Sequence, residues 1–138
     1  ETHIIERGDL LDFEYIKIEG VPAYTSHKRH PKHEGWLGYV LNAGKNVIYF
    51  AGDTDHIPEM SRLSGYGKKG NNFIAILPIA GDVVMNSVSA SNAIKVLNPS
   101  LAIPMSYGAG VYGTEKDAKL FVDLWQQNGF NAVMLPKI

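Results

Sequence analysis

Residues 73–105 read FIAILPIAGDVVMNSVSASNAIKVLNPSLAIPM. Phe73 to Ala80 is a continuous apolar run, and such runs belong to strands covered on both faces. Ser87 to Leu97 sets Ala90, Ala93, Ile94 and Leu97 at i, i+3, i+4 and i+7, the stripe of an amphipathic helix. Asn98-Pro99 ends that helix, and Leu101 to Met105 is a second buried strand. A strand, a helix and a strand in this order predict an α/β layer with helices packed on a sheet.

Downstream, Thr114 precedes Glu115-Lys116-Asp117, an N-cap with an acidic first turn. Ala118, Phe121, Val122 and Trp125 continue the helical stripe, Asn128-Gly129 closes it, and Ala132 to Leu135 reads as a final strand. Upstream, the alternation in Leu10 to Glu19 predicts one half-buried strand. Val21 to Tyr24 is a short extended piece whose Pro22 suits a strand end. Trp36 to Leu41 and Asn46 to Ala51 form a hairpin across a glycine-containing turn. Ile57, Met60 and Leu63 mark a short helix, and Ser64 to Asn72 reads as a surface loop.

Composition narrows the function. The chain has 138 residues, 45% apolar and 20% charged, the proportions of a folded domain. The absence of cysteine excludes disulfides, thiol nucleophiles and thiolate metal sites. A net charge of −1 argues against nucleic-acid binding by phosphate neutralisation. No apolar run has the roughly 20 residues needed to span a bilayer, so a cytoplasmic location without membrane contact is expected. The chain opens at Glu1, so the expectation is of a polypeptide processed or cut from a longer one.

Four places could carry chemistry. Ala51-Gly52-Asp53-Thr54-Asp55-His56 lies at a strand end, where carboxylate and imidazole suit zinc, manganese or iron. Asp53 reads as the site residue there, and Asp55 reads as the N-cap of the following helix. His27, His30 and His33 fall at i, i+3 and i+6 like a ligand cluster. Lys28, Arg29 and Lys32 stand among them, and a solvated basic loop is the competing reading. Residues 108–113 match G-x-G-x-x-G, but the cap at Thr114 follows the third glycine and no acidic residue stands about 20 positions on, so a plain glycine-rich loop is favoured over a nucleotide site. Ser106 ends a buried strand but has no partner base in view.

These segments together resemble the metallo-β-lactamase superfamily, in its branch of metal-dependent hydrolases related to the ascorbate-6-phosphate lactonase group. The residues that carry the likeness are His30-Pro31-Lys32, Gly35-Trp36-Leu37-Gly38-Tyr39-Val40, Ile48 to Asp55, Ile57-Pro58-Glu59-Met60, Ile76 to Gly81 with Met85, and Ala102 to Gly108. The resemblance implies an αββα sandwich with metals at the sheet edge, usually two bridged by water. It makes Asp53 the metal-bridging aspartate, with His30, His33 and Asp55 as further candidates for zinc or manganese, and Asp55 with His56 as a supporting turn.

The departures are equally plain. The family's His-x-His-x-Asp-His motif is not in this sequence, the mid-domain histidine position near Tyr24-Thr25 is not histidine, and Ser106 stands where a histidine ligand is expected after Pro-Met. The expectation is therefore residues 1–138 as one incomplete domain, the C-terminal part of the sandwich with its N-terminal portion missing. It would act as a metal-dependent hydrolase on an ester, lactone or phosphoester when the fold is complete. A degenerate, non-catalytic binding module is the alternative. A half-sandwich would bare Leu11, Phe13, Tyr15, Trp36, Tyr39 and Val47 to Phe50, so a homo-oligomer or a second chain is expected as partner. The lysines and arginine of residues 25–35 and 64–72 point to a small anionic substrate.

Overall fold

The structure, a computed structural model, describes residues 2–26, 29–108, 110 and 112–136. Six strands form one sheet in chain order: β1 Leu10–Phe13, β2 Ile16–Pro22, β3 Leu37–Ala43, β4 Asn46–Phe50, β5 Asn72–Pro78 and β6 Leu101–Met105. β1 to β4 pair antiparallel, while β4–β5 and β5–β6 pair parallel. Parallel neighbours need crossovers. A 3-10 segment, Pro58–Gly65, lies between β4 and β5, and helix α1, Ser87–Leu97, lies between β5 and β6. Helix α2, Glu115–Gln126, follows β6.

All of these helical segments pack against one face of the sheet. Val47 and Tyr49 of β4 and Phe73, Ala75 and Leu77 of β5 are fully buried beneath Ala90, Ala93, Ile94 and Leu97 of α1 and Phe121 and Trp125 of α2. Small residues let α1 lie close to its neighbours, and Ser87 Oγ donates to the Asp117 carbonyl at 2.7 Å, tying α1 to α2. Asn86 caps α1 by accepting from the Ser89 N–H, and Asn98 ends it in the left-handed region at φ 50°. Thr114 and Asp117 cap α2 reciprocally, a capping box. Trp125 stacks on Phe130 with ring centroids 4.2 Å apart.

Several expectations are corrected. Leu10 to Glu19 is two strands: the chain reverses at Glu14-Tyr15, pairing Phe13 with Ile16 and Leu11 with Ile18. Period-two alternation is the same for a straight strand and for a tight hairpin, so the pattern could not reveal the turn. The short helix is 3-10 in hydrogen bonding, and the loop after it contains a further 3-10 turn, Lys68–Gly70. The final strand shrinks to a single bridge between Ala132 and Ala102.

β5 is not covered on both faces. Ile74 and Ile76 remain half-exposed. Ile5, Leu11, Ile18, Tyr39, Leu41, Ile48, Phe50 and Ile76 line an open trough of about 470 Å³ on the side away from the helices. The apolar patch expected from the sequence is thus real but drawn from alternate residues, because Val47 and Tyr49 turn inward to the helices. Replacing fully buried Phe121 by alanine is expected to cost about 3–5 kcal/mol in urea unfolding, against under about 0.5 kcal/mol for exposed Leu120→Ala.

Candidate metal-binding site

Because β4, β5 and β6 are parallel, their C-terminal ends share one edge of the sheet. In layered α/β folds that edge is where sites are built. At the end of β4, Gly52 takes φ 67°, and a Cβ there would lie 2.9 Å from the Leu37 carbonyl oxygen. Only glycine turns the chain in this space. The turn sends Asp53 outward, with 59% of its side chain exposed, while Thr54 is fully buried.

Thr54 is the residue that sequence reading passed over. Its hydroxyl accepts from the Tyr24 N–H at 3.2 Å and lies 3.0 Å from the Tyr24 carbonyl oxygen. The Asp55 N–H donates to the same carbonyl at 2.9 Å, and the Met85 N–H donates to the Thr54 carbonyl. A threonine behind a strand-end aspartate was the available signal, since buried hydroxyls seek backbone partners.

His30 comes to Asp53. Its Nε2 lies 3.5 Å from Asp53 Oδ2, and 15% of its side chain is exposed. The ring packs against Trp36 at 5.1 Å, whose indole N–H donates to Glu34. The Thr25 N–H holds the His30 carbonyl at 2.8 Å. His30 Nδ1 is buried without a hydrogen-bond partner among the described residues.

The other candidates are placed differently. Asp55 does not cap the 3-10 segment, whose N-cap position is Ile57. Its carboxylate instead accepts from the Ser26 N–H at 2.7 Å and the Ser26 hydroxyl at 2.9 Å, fixing the start of the histidine loop. His33 is exposed in a 3-10 turn, Lys32–Glu34, beside Glu6 and Arg7. His27 lies outside the described residues. His56 is exposed. Ser106 ends β6 at φ 63°, an uncommon conformation for serine, and is half-buried on the same sheet edge as Asp53.

The glycine loop has a packing role. A Cβ at Gly113 would meet the Ser106 carbonyl oxygen at 2.3 Å and Ala80 Cα at 3.0 Å, so this glycine lets two backbones touch. The Asp117 carboxylate already occupies the start of α2 through its capping box, where a phosphate would otherwise sit. Ala109 and Val111 lie outside the described residues.

A clamp borders the site. Glu59 accepts from Lys32 Nζ at 2.8 Å and from the Tyr24 hydroxyl at 2.8 Å. The Lys32 hydrogen bond holds the Glu59 carboxyl down at about 2. Burial and the Glu59 contact push the Tyr24 hydroxyl up. Elsewhere burial, with the Glu19 carboxylate, pushes the Tyr66 hydroxyl up to about 12.

The donors fit part of a metal shell. At 3.5 Å, Asp53 and His30 stand wider than a charge-assisted hydrogen bond. The gap matches the roughly 3.4 Å between two donors on a tetrahedral zinc at about 2.1 Å from each. Among the described residues no group of three His, Cys, Asp or Glu assembles, so these residues supply two donors where a catalytic metal takes about three from protein.

Residues 1–106 match the model of the β-lactamase superfamily domain. The chain belongs to that superfamily. It is 32% identical over 108 residues to the UPF0173 metal-dependent hydrolase of Thermoplasma acidophilum, covering 78% of this chain and 46% of the relative. To the hydrolase of the same name from Thermoplasma volcanium it is 34% identical over 104 residues, covering 75% of this chain and 45% of the relative. The chain thus spans under half the length of each. Among solved structures, a Parabacteroides distasonis protein provisionally named a metal-dependent hydrolase superposes with TM-score 0.78 at 27% identity, covering 97% of this chain and 57% of that one. A metallo hydrolase of Ignicoccus hospitalis, 21% identical, shares the fold at TM-score 0.74 over 94% of this chain and 55% of its own. The six-stranded sheet with helices on one face is therefore a partial metallo-β-lactamase fold.

Within this superfamily member the clamp sets a pH signature. Glu59 has a folded-state pKa near 2 against an ordinary value of 4.5, so its contribution is complete above pH 4.5 and is lost as pH falls toward 2. Thermal melts should show Glu59→Gln several degrees below the wild type at pH 7, with the gap narrowing below pH 4.5 and closing only as pH falls through about 2. A gap that is constant with pH would contradict the assignment.

Proposed function

We propose that this chain carries the Asp53 side of the active site of a metal-dependent hydrolase that cleaves an ester, lactone or phosphoester. The observation that supports this reading best is the facing of Asp53 and His30 at 3.5 Å on the shared edge of parallel strands, in a chain whose relatives are named metal-dependent hydrolases. A bound divalent ion, zinc or manganese, would supply Lewis acidity and an acidified water. Asp53 offers an exposed anionic oxygen, and His30 offers a nitrogen oriented by Trp36 and the Thr25 N–H. The remaining donors would come from protein beyond the described residues.

The substrate would be small and anionic. The Arg29 guanidinium, next to His30, donates to the Tyr112 hydroxyl at 3.3 Å and lies 5.7 Å from the centre of its ring. No carboxylate neutralises it in the ion pairs among the described residues. Its unused donors suit a carboxylate or phosphate.

The trough is the third part of the proposal. An apolar sheet face of this extent is covered in a soluble assembly, here by the second layer of the sandwich from another chain segment, or by a second copy. The non-catalytic module is the second reading, favoured by serine at position 106 and by the two-donor set.

Two measurements test this. Metal analysis of the purified protein should find zinc or manganese, reduced at least about tenfold by Asp53→Ala. A folded, metal-free wild type would sink the hydrolase reading in favour of the module. Sedimentation of the 138-residue chain should show self-association, and a stable, monodisperse monomer would refute the covered face.

A further inference from the structure

Two short stretches, His30-Pro31-Lys32 and Ile57-Pro58-Glu59-Met60, lie 27 residues apart from Lys32 to Glu59 and meet at one carboxylate. Glu59 uses both oxygens: Oε1 accepts from Lys32 Nζ, and Oε2 accepts from the Tyr24 hydroxyl. Lys32 Nζ closes the ring of contacts, 3.4 Å from the Tyr24 hydroxyl and 4.8 Å from the centre of its ring. The carboxylate itself stands on firm ground. Its side chain is only 21% exposed, and the neighbouring Met60 and Leu63 are buried in the core.

The two clamped residues bracket the histidine loop. Tyr24 directly precedes Thr25, whose N–H holds the His30 carbonyl. Lys32 follows His30 by two positions across Pro31, an extended residue at φ −70° and ψ 149°. Proline fixes its own φ, so a shift at Lys32 carries to His30 instead of being absorbed between them. The loop buries little of itself. Ser26, Arg29, His33 and Glu34 are exposed, and no described residue from Ser26 to Gly35 is buried. Asp55 holds the loop's start at Ser26 and Arg7 donates to the Lys32 carbonyl, while Glu59 ties the Lys32 side chain to the 3-10 segment that carries core residues Met60 and Leu63.

We infer that Glu59 is a positioning residue for the metal site: through Lys32 and Tyr24 it holds the loop so that the His30 imidazole faces Asp53, without being a donor itself. The inference rests on the reading that Asp53 and His30 bind the metal. It explains why a lysine, which repels cations, stands so near a metal-binding histidine. Glu59 neutralises the charge and uses it as a tether.

The test is manganese titration of the isotopically labelled full chain, followed by paramagnetic broadening in NMR. In the wild type, broadening should centre on residues 30 and 53. Glu59→Gln and Lys32→Met should each weaken manganese binding about tenfold, the scale seen when a partner of a metal ligand is removed. Lys32→Arg, which keeps the charge and the donors, should retain most of the affinity, which a general loss of stability would not predict. Unchanged affinity in both Glu59→Gln and Lys32→Met overturns the inference. A metal-free readout separates it from the reading beneath. Contacts between the His30 and Trp36 rings, seen as nuclear Overhauser effects, should persist in Asp53→Ala and vanish in Glu59→Gln and Lys32→Met. If Asp53→Ala leaves the broadening unchanged, the metal assignment fails. If the ring contacts survive both clamp variants, the positioning role fails whatever the metal does.

Discussion

Parallel pairing of β4, β5 and β6 beneath α1 and α2 is the constraint from which the rest of the molecule follows. Parallel strands must be joined by crossovers, and here every crossover lies on one face. Phe73, Ala75 and Leu77 are therefore sealed against Ile94, Leu97 and Phe121, and the three strand ends are left side by side. Asp53 and Ser106 share one edge of the sheet only because of that alignment. One belongs to the end of β4 and the other to the end of β6, more than fifty residues apart in the chain.

The same one-sided packing creates the trough. A sheet has two faces, and helices that cover one leave the alternate side chains of every strand on the other. Ile48 and Phe50 face outward for the same reason that Val47 and Tyr49 face inward. Polar residues on the outer face would have made the sheet a finished surface. The apolar lining instead leaves that face unfinished, in a chain whose matched stretch spans under half of each relative.

Around the site, most ties have a backbone group at one end. Thr54 fastens the aspartate turn to Tyr24, Asp55 fastens Ser26, and Thr25 fastens His30. Each tie joins the residue 24–30 segment to the end of β4 or to itself. Burying the Thr54 hydroxyl is favourable because it finds backbone partners there, which makes the turn rigid beneath an exposed carboxylate. The Glu59 clamp adds a lysine–carboxylate pair to the set. Its weight for the site comes from its position at the foot of the loop.

The sequence by itself determined the parts that depend on local pattern. The stripe of Ala90, Ala93, Ile94 and Leu97 gave the bounds of α1, Thr114 gave the start of α2, and the β3–β4 hairpin followed from its turn. Asp53 was legible as a strand-end carboxylate, and the motifs from His30 to Gly108 carried the family. Tertiary structure alone decided what depends on which way a side chain points after the chain has turned. The reversal at Glu14-Tyr15, the inward and outward assignment of Val47 to Phe50, and the choice of His30 over His33 as the neighbour of Asp53 are of this kind. Spacing in a loop fixes no direction, because its backbone follows no period. Asp55 turned to Ser26 instead of a helix end, and Glu59 met Lys32, because hydrogen-bond partners across a gap in sequence are set by the packing of the core beneath them.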